Sequence, residues 1–265
     1  MGDSTDLFAA GILQNILDNG DADPFTIATI NKPLLAYEDG LRGCVFSVQE
    51  KKTEDGVTSV FNHRYTEDGF RLHHEDTIFG DKGIYQYYYS KGQLQIVELI
   101  RYGFVNERWH FHYDNNILVM VDWKQYEEER FPIESSSFRI MCDEQGRVIR
   151  NENLRYSYDS EGRILEKIHG RGGGMGNLFP SIFECKYKYD GLGQLVCRNI
   201  KCGNVVIVDS YNYNIQGDVV EMVRARNDGF EVHKHFEYTY DNRGNWLTCK
   251  SESCHTLRTI SYYDE

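Results

Sequence analysis

Apolar and polar residues alternate along most of this chain with a period of two, from about Tyr37 onward. Tyr187 and Tyr189, for example, alternate with Lys186 and Lys188. Because successive side chains of a β-strand point to opposite faces of a sheet, this pattern predicts strands with one aromatic face and one polar face. Turn-forming residues interrupt the pattern roughly every ten to fifteen residues. The pattern therefore predicts a meander of short antiparallel strands.

Residues 4–18 have a different period and predict one α-helix. Ser4 and Asp6 are of the types that cap helix N-termini, and Asn19-Gly20 is a stop signal. The apolar residues between them recur at helical spacing: Leu7, Phe8, Ile12, Leu13, Ile16 and Leu17. We expect this helix to cover an edge or an end of the sheet.

A five-residue motif, Tyr-Asp-x-x-Gly, recurs where the alternating segments end. Its clear copies are residues 158–162, 189–193, 213–217 (with Asn for Asp) and 240–244, and a variant that begins with Cys lies at 142–146. Fainter copies are residues 65–69, 88–92 and 113–116. An apolar residue follows two positions after most of the turn glycines, as in Leu94, Val148, Ile164, Leu195, Val219 and Trp246.

The spacing of this motif is typical of a hairpin tip. Asp or Asn favours the first position of a type I turn, because its side chain accepts hydrogen bonds from the N–H groups ahead of it. The closing residue needs a positive φ to re-enter the ladder as a bulge, which glycine adopts without steric cost. We therefore interpret the motif as structural, and not as a metal loop or a phosphate-binding loop.

The predicted fold class is all-β: one long antiparallel meander of these hairpins in a curved or partly rolled sheet, with one N-terminal helix. The expected division is a lead-in with the helix at 1–36 and a β-hairpin domain at 37–265. A long insertion at 169–180, rich in glycine, is expected to be a loop.

The most regular turns resemble the YD repeats of the RHS/YD-repeat family. The residues that carry the resemblance are Tyr158-Asp159 with Gly162-Arg163, Tyr189-Asp190 with Gly193-Gln194, and Tyr240-Asp241 with Gly244-Asn245. The resemblance covers 140–265 well and 60–120 loosely. Long members of the family use such repeats as a coiled β-sheet shell around a toxin or as cell-surface scaffolds. This chain is too short to enclose a cargo domain, so the resemblance implies a sheet architecture and transfers no activity.

The net charge limits the kinds of partner that the chain can bind, and the cysteine usage indicates its compartment. The formal net charge is -12, from 41 acidic and 29 basic residues, which disfavours nucleic acid and anionic membrane surfaces as partners. A basic protein partner is favoured instead. Seven scattered cysteines do not form a disulfide framework. We therefore expect a cytoplasmic protein without membrane insertion, or a periplasmic or cell-surface protein if an upstream signal peptide was removed.

Two residue types are candidates for a binding site. Exposed aromatic side chains on a sheet can bind sugars or proteins, which nominates Trp109, Trp123 and Trp246, although core packing is the simpler explanation of all three. Histidines two apart on a strand share a face, which nominates the two pairs His110/His112 and His233/His235. Such pairs could ligate a metal, but ordinary polar positions on a sheet have the same spacing. We predict no metal and no other cofactor.

Three functions remain open on the sequence alone. The first is a non-enzymatic protein-interaction module, with an immunity or accessory protein of a bacterial toxin system as its finer form. The second is a surface or periplasmic glycan-binding protein. The third is a hydrolase with a site in a sheet cleft, for which two of the 41 carboxylates would have to converge. The chain has no nucleophile-elbow motif, so we expect no enzymatic activity.

Overall fold

A computed structural model describes residues 41–78, 81–127, 131–151, 154–169 and 183–263. These residues are all-β and form nineteen strands with antiparallel pairing. The predicted helix at 4–18 lies outside the described residues, as does nearly all of the insertion at 169–180. None of the described residues belongs to a helix with the length and apolar character that crossing a membrane requires.

The strands follow one another closely in the sequence. In chain order they are β1 (Val45–Glu54), β2 (Val57–Tyr65), β3 (Arg71–Ile78), β4 (Asp81–Ser90), β5 (Gln93–Arg101), β6 (Phe104–Asp114), β7 (Ile117–Glu127), β8 (Phe131–Cys142), β9 (Val148–Asn151), β10 (Leu154–Tyr158), β11 (Ile164–His169), β12 (Phe183–Tyr189), β13 (Leu195–Cys202), β14 (Val205–Tyr213), β15 (Val219–Arg226), β16 (Glu231–His235), β17 (Glu237–Tyr240), β18 (Trp246–Lys250) and β19 (Cys254–Tyr262).

The chain divides into two compact units. We call them the central unit, whose described residues lie within 114–119 and 139–234, and the terminal unit, whose described residues lie within 41–113, 120–138 and 235–263. The division into 1–36 and 37–265 stays a prediction.

The central unit is a meander. Strands β9 to β15 each pair with the next strand along the chain, always antiparallel. Cys185, Ile200 and Ile207, on β12, β13 and β14, form its buried cluster. Ile200 lies directly opposite both of the others. A continuous apolar row across three strands is what the period-two pattern requires.

The terminal unit joins strands from distant parts of the sequence. Strands β1 to β6 pair consecutively, and β17 to β19 do the same. β1 also pairs with β19 over nine positions, from Val45 opposite Tyr262 to Glu54 opposite Cys254. Val48 and Tyr65 are buried in its core, against Ile260.

The predicted hairpin tips are confirmed at the four clear copies of the motif and at the variant at 142–146. In each, the N–H of the Asp (or Asn214) donates to the carbonyl four residues later at 2.9 Å. The turn glycine has a φ between 76° and 91°. The turn at Thr66 has the same backbone hydrogen bonds, with the Thr66 hydroxyl in the place of the carboxylate.

Two of the faint copies were interpreted wrongly. Residues 88–92 and 113–116 end in two-residue turns, Lys91-Gly92 and Asn115-Asn116, in which both residues have positive φ. This is the type I′ turn, whose twist matches that of the strands without a bulge. The spacing from Tyr to Gly was coincidental there, since neither copy has Asp followed by Gly three residues later.

Candidate functional site

The recurring side chains of the turn motif bond to the turn itself. In the turn at Asp159, Oδ1 accepts from the backbone N–H of Glu161 at 2.9 Å and of Arg163 at 2.8 Å. Oδ2 accepts from Nε of Arg163 at 2.6 Å. The turn at Asp143 repeats this pattern with Arg147. Both carboxylate oxygens are thus engaged in holding the tip.

The turns at Asp143 and Asp159 each also contact the next turn of their unit. The guanidinium of Arg147 lies over the ring of Tyr158, and that of Arg163 over the ring of Tyr189, each at 4.8 Å. The tyrosine hydroxyls donate to backbone carbonyls of the preceding repeat, Tyr158 to Val148 at 2.6 Å and Tyr189 to Ile164 at 2.9 Å. We call this repeated contact the turn relay. It gives the Tyr and the Arg that follows the Gly a structural role.

The relay also explains the turn glycines. A Cβ added at Gly193 would lie 3.3 Å from Nη1 of Arg163, and one added at Gly244 would lie 2.5 Å from Nη1 of Arg42. The glycines therefore provide both a positive φ and room for an arginine side chain, which comes from the preceding turn at Gly193 and from the first described segment of the chain at Gly244. The motif residues thus have structural roles in the turns, and we expect a binding surface to lie between the turns.

A network of polar side chains crosses the terminal unit from β4 to β8. It lies on the polar face, because Trp109 and Phe111, which alternate with its β6 members, are buried. We call it the contact strip; its members are Tyr88, Glu98, Arg108, His110, His112, Asp122, Tyr126 and Ser137.

Glu98 is the centre of the first half of the strip. Its Oε1 accepts from Nε of Arg108 at 2.6 Å, and its Oε2 accepts from the Tyr88 hydroxyl at 3.0 Å. The guanidinium of Arg108 faces the ring of Tyr126 at 5.6 Å. Burial, and then the hydrogen bond to Glu98, raise the pKa of Tyr88. This tyrosine therefore stays a neutral donor at physiological pH.

Asp122 is the centre of the second half. Its Oδ2 lies 2.8 Å from Nε2 of His112, and its Oδ1 accepts from the Ser137 hydroxyl at 2.6 Å. The hydrogen bond from Ser137, assisted by that from His112, lowers the pKa of Asp122 although partial burial opposes the shift. Nucleophilic catalysis would need the serine to donate to the histidine. Here Ser137 donates to the carboxylate, so the arrangement orders side chains and does not activate a nucleophile.

His110 lies between these two halves on β6. Burial lowers its pKa, and the nearby charges of Arg108 and Lys124 lower it further. A neutral imidazole both donates and accepts a hydrogen bond. The strip thus presents neutral, anionic and cationic groups side by side.

The turn between β5 and β6, the strands that carry Glu98 and Arg108 of the strip, has an exposed aromatic residue. Tyr102 and Gly103 connect β5 to β6 as a type I′ turn, with φ values of 55° and 84°. Tyr102 is 79 % exposed, and Phe104, the first residue of β6, is also exposed. A non-glycine residue other than Asn or Asp is costly at positive φ. Here that position holds a large and exposed aromatic side chain.

The tryptophans lie elsewhere. Trp109 is only 6 % exposed and packs in the core. Trp123 is half-buried and donates from Nε1 to Glu107 at 2.8 Å. Trp246 is half-buried beneath the guanidinium of Arg258, which lies 3.4 Å from its ring centroid. Trp109 and Trp123 lie on the neighbouring strands β6 and β7, and Trp246 lies on β18; none of the three is a member of the strip.

The two predicted histidine pairs have different surroundings. His110 and His112 belong to the contact strip, as described. His233 is exposed and its Nε2 lies 2.7 Å from Oε1 of Glu231 on its own strand, and His235 is exposed as well. Within the described ranges no group of three or more His, Cys, Asp or Glu side chains is arranged to hold a metal ion.

Sequence reasoning missed a third pair, formed across two strands. His63 on β2 lies directly opposite His74 on β3, and their Nδ1 atoms are 3.2 Å apart. Burial lowers the pKa of His63 to about 2, with further lowering from the charge of Arg71. The neighbouring His73 lies on the other face, as its place in the alternation predicts, with Nε2 3.6 Å from Glu75.

The central unit contains a buried charge cluster. Asp209 on β14 is fully buried between two arginines that lie directly opposite it, Arg198 on β13 and Arg224 on β15. Nη2 of Arg198 donates to Oδ2 at 2.8 Å, and Nε of Arg224 donates to Oδ1 at 2.8 Å. Burial opposes ionisation, but the hydrogen bonds from the two guanidinium groups outweigh it and lower the pKa of Asp209.

The sequence matches no family model and no curated protein. Similar solved structures include porin-like proteins from Bacteroides uniformis (11 % identity, 83 % of this chain and 99 % of that chain, TM-score 0.45) and from Bacteroides vulgatus (12 %, 83 % and 100 %, 0.46). Another is the Photorhabdus luminescens Tc holotoxin pore, with 14 % identity and a TM-score of 0.37. That match covers 75 % of this chain and 11 % of the other. No activity, partner or site passes from these proteins to this chain.

Proposed function

We propose that this protein is a non-enzymatic interaction module that binds a protein partner through the contact strip and the adjoining Tyr102 turn. The observation that carries the proposal is Tyr102 itself. An exposed aromatic side chain occupies a backbone conformation that Asn or Gly would adopt at lower cost. Residues kept in sparsely populated backbone regions cluster at functional sites.

The composition of the surface supports a protein partner. Tyr and Arg are enriched at the positions that dominate protein–protein binding energy. The strip offers Tyr88, Arg108 and Tyr126, and the turn at the end of the same β5–β6 hairpin adds the exposed ring of Tyr102. Ordered polar side chains beside an exposed aromatic ring suit a protein surface as partner.

The order within the strip lowers the cost of binding. Immobilising a flexible side chain at an interface costs about 0.5–1.5 kcal/mol. Arg108 is already held by Glu98, and His112 by Asp122, before any partner arrives. Such preorganisation favours affinity, because less freedom is lost on association.

The net charge of the chain predicts how fast a partner associates and how that rate depends on salt. The net charge of -12 attracts a basic partner over a long range and raises the association rate. The strip has two carboxylates and one guanidinium in fixed positions, and these select the partner at short range. Binding is therefore expected to weaken as salt increases, mainly through slower association.

The finer form of the proposal is an immunity or accessory protein of a bacterial toxin system, acting in the cytoplasm. Its support is the resemblance of the turns to YD repeats. In this form the partner is a basic toxin component, and no cofactor takes part.

The test uses two matched turn variants. The full chain, Tyr102→Asn and Lys91→Asn are immobilised and used to capture proteins from the source lysate at low and at high salt. Lys91 is the control, because it occupies the same position of a type I′ turn, with a φ of 52°. Asn relieves the backbone in both variants, so neither is expected to lose its fold.

The expected result is a specific basic protein retained by the full chain and by Lys91→Asn at low salt, and lost from Tyr102→Asn. Equal retention by all three would place the interface elsewhere. Failure of the full chain to retain any specific protein at low salt would overturn the proposal as a whole.

A further inference from the structure

The cross-strand pair His63 and His74 has the geometry of a metal chelate. The two residues are directly opposite in the antiparallel ladder of β2 and β3, so their side chains leave the same face of the sheet. The ring centroids are 4.7 Å apart and the planes are tilted by 34°. The two Nδ1 atoms, at 3.2 Å, are the atoms that approach each other.

This separation matches two ligands on one ion. With metal–nitrogen bonds of about 2.0–2.1 Å, a nitrogen separation of 3.2 Å corresponds to an angle of about 100° at the metal, close to tetrahedral. We propose that His63 and His74 chelate a divalent transition-metal ion through their Nδ1 atoms. The proposal is independent of the proposed partner surface, which lies on the opposite face.

Water would complete the coordination. Among the described residues no third His, Cys, Asp or Glu joins the pair as a ligand. The site is therefore open, as in metal centres that keep exchangeable positions. Two imidazoles suit zinc, copper and nickel, and copper(II) forms the strongest complexes in this series.

Binding needs a change of tautomer and no net loss of protons. In the metal-free pair, a hydrogen bond between the two Nδ1 atoms requires that one of them carries a hydrogen directed at the lone pair of the other. Chelation needs both Nδ1 lone pairs, so that hydrogen moves to Nε2 of the same ring. Both imidazoles remain neutral, and the ion takes the place of the hydrogen between the two rings.

The groups around His63 and His74 determine how tightly the pair binds a cation. His74 lies 6.3 Å from the ring of Phe61 and 5.8 Å from that of Tyr85, so aromatic rings flank the pair. Arg258 contributes positive charge nearby, but Glu50 pairs with it at 2.7 Å. The remaining charge of Arg71 opposes a cation. We therefore expect weaker binding than at a structural zinc site.

The experiment follows the imidazole nitrogens of the full chain by NMR during titration with zinc chloride. The expected result is a shift of the Nδ1 resonances of His63 and His74 together, saturating at one ion per chain. Calorimetry with copper(II) chloride then measures affinity. Unchanged Nδ1 resonances under zinc excess would overturn the proposal, and the wild-type spectrum gives this answer without any variant.

A matched pair of variants shows which histidines bind the ion. His74→Asn retains a polar group opposite His63 and removes one ligand, and it is expected to weaken copper binding at least tenfold, since loss of even an outer-shell partner costs about 10–100-fold. His233→Gln with His235→Gln alters an exposed histidine pair and should leave the high-affinity phase intact. If only the second variant lost affinity, the ion would belong to the exposed pair and the proposal would be wrong.

Discussion

The side chain of Asn245 pairs with the backbone of Arg42, a residue 203 positions earlier in the chain. Its Oδ1 accepts from the Arg42 N–H at 2.6 Å, and its Nδ2 donates to the Arg42 carbonyl at 2.9 Å. Nδ2 also donates to the hydroxyl of Tyr262 at 2.7 Å. Asn245 takes the position that Arg163 has in its own turn. The last clear copy of the motif therefore binds the first described segment of the chain.

Asn245→Ala is expected to destabilise the terminal unit by about 2–3 kcal/mol, because it removes three hydrogen bonds of an almost fully buried amide, two of them to the backbone of Arg42. The measurement is chemical denaturation, with hydrogen exchange of the β1–β19 ladder to locate the loss. Asn242→Ala, an exposed position in the same turn, is the control and should change the free energy of unfolding little. Equal effects of the two substitutions would contradict the role of Asn245.

The turn relay predicts opposite effects for two glycines of one turn. Gly193→Ala is expected to cost about 1–2 kcal/mol, because a Cβ is unfavourable at a φ of +83°. The added carbon would also press on Arg163 of the preceding turn. Gly191→Ala meets nothing within 4 Å, and its φ is not in the left-handed region. It should be neutral or stabilising by up to about 1 kcal/mol. Thermal unfolding of both variants checks the sign.

The strained position of Tyr102 predicts a gain in stability on substitution. Tyr102→Asn should raise the free energy of unfolding by up to about 1 kcal/mol, since Asn adopts the left-handed region more readily. Lys91→Asn should do the same for the same reason. Denaturant midpoints measure both. If Tyr102→Asn were clearly destabilising, the backbone strain assigned to this position would be contradicted.

The lowered pKa of Asp209 predicts that acid destabilises the central unit. Its pKa is lowered in the folded state, so the unfolded chain binds its proton more readily. The stability that Asp209 contributes is therefore complete above the unfolded carboxyl pKa, about 3.9. It is lost as the pH falls below that value through the folded pKa. Unfolding free energies measured between pH 6 and about pH 3 should fall accordingly.

Removing the carboxylate tests the same cluster at neutral pH. Asp209→Asn is expected to cost about 3–5 kcal/mol, because two largely buried guanidinium groups lose their counter-charge. The variant should also lose part of the acid dependence. Asp228→Asn is the matched control, since Asp228 pairs with Arg226 at an exposed turn, and it should have little effect. A pH profile that is unchanged in Asp209→Asn would contradict the assignment.

The local parts of the fold could be predicted from the sequence, because turn chemistry and the period of two are local properties. Asp190 and Gly193 fix a turn whether or not the rest of the chain is known. The pairing of Asn245 with Arg42 could not be predicted, because no local preference connects residues so far apart. The two faint copies failed because both are two-residue type I′ turns. Lys91 adopts a positive φ that its residue type disfavours, whereas Asn115-Asn116 has the residue type that such a turn prefers.

Part of the candidate site could be predicted from the sequence. Recognising the turn at Thr66 and Gly69, and pairing Arg64 with His73 around it, would have placed His63 opposite His74. The partnership of Glu98 with Arg108 was harder to derive, since a bulge between Leu99 and Ile100 shifts the register after the Tyr102 turn. The sequence nominated His110 and His112, but it gave no sign that Asp122 and Ser137 would join them.

The turn relay has a consequence for how such a protein can evolve. The hairpin at 158–162 supplies the side chain of Arg163 to its successor and the ring of Tyr158 to its predecessor. A gene duplication that copies one hairpin therefore copies both halves of the contact at once. The inserted copy would fit its neighbours without compensating substitutions, so arrays of different lengths can descend from one another by recombination between repeats.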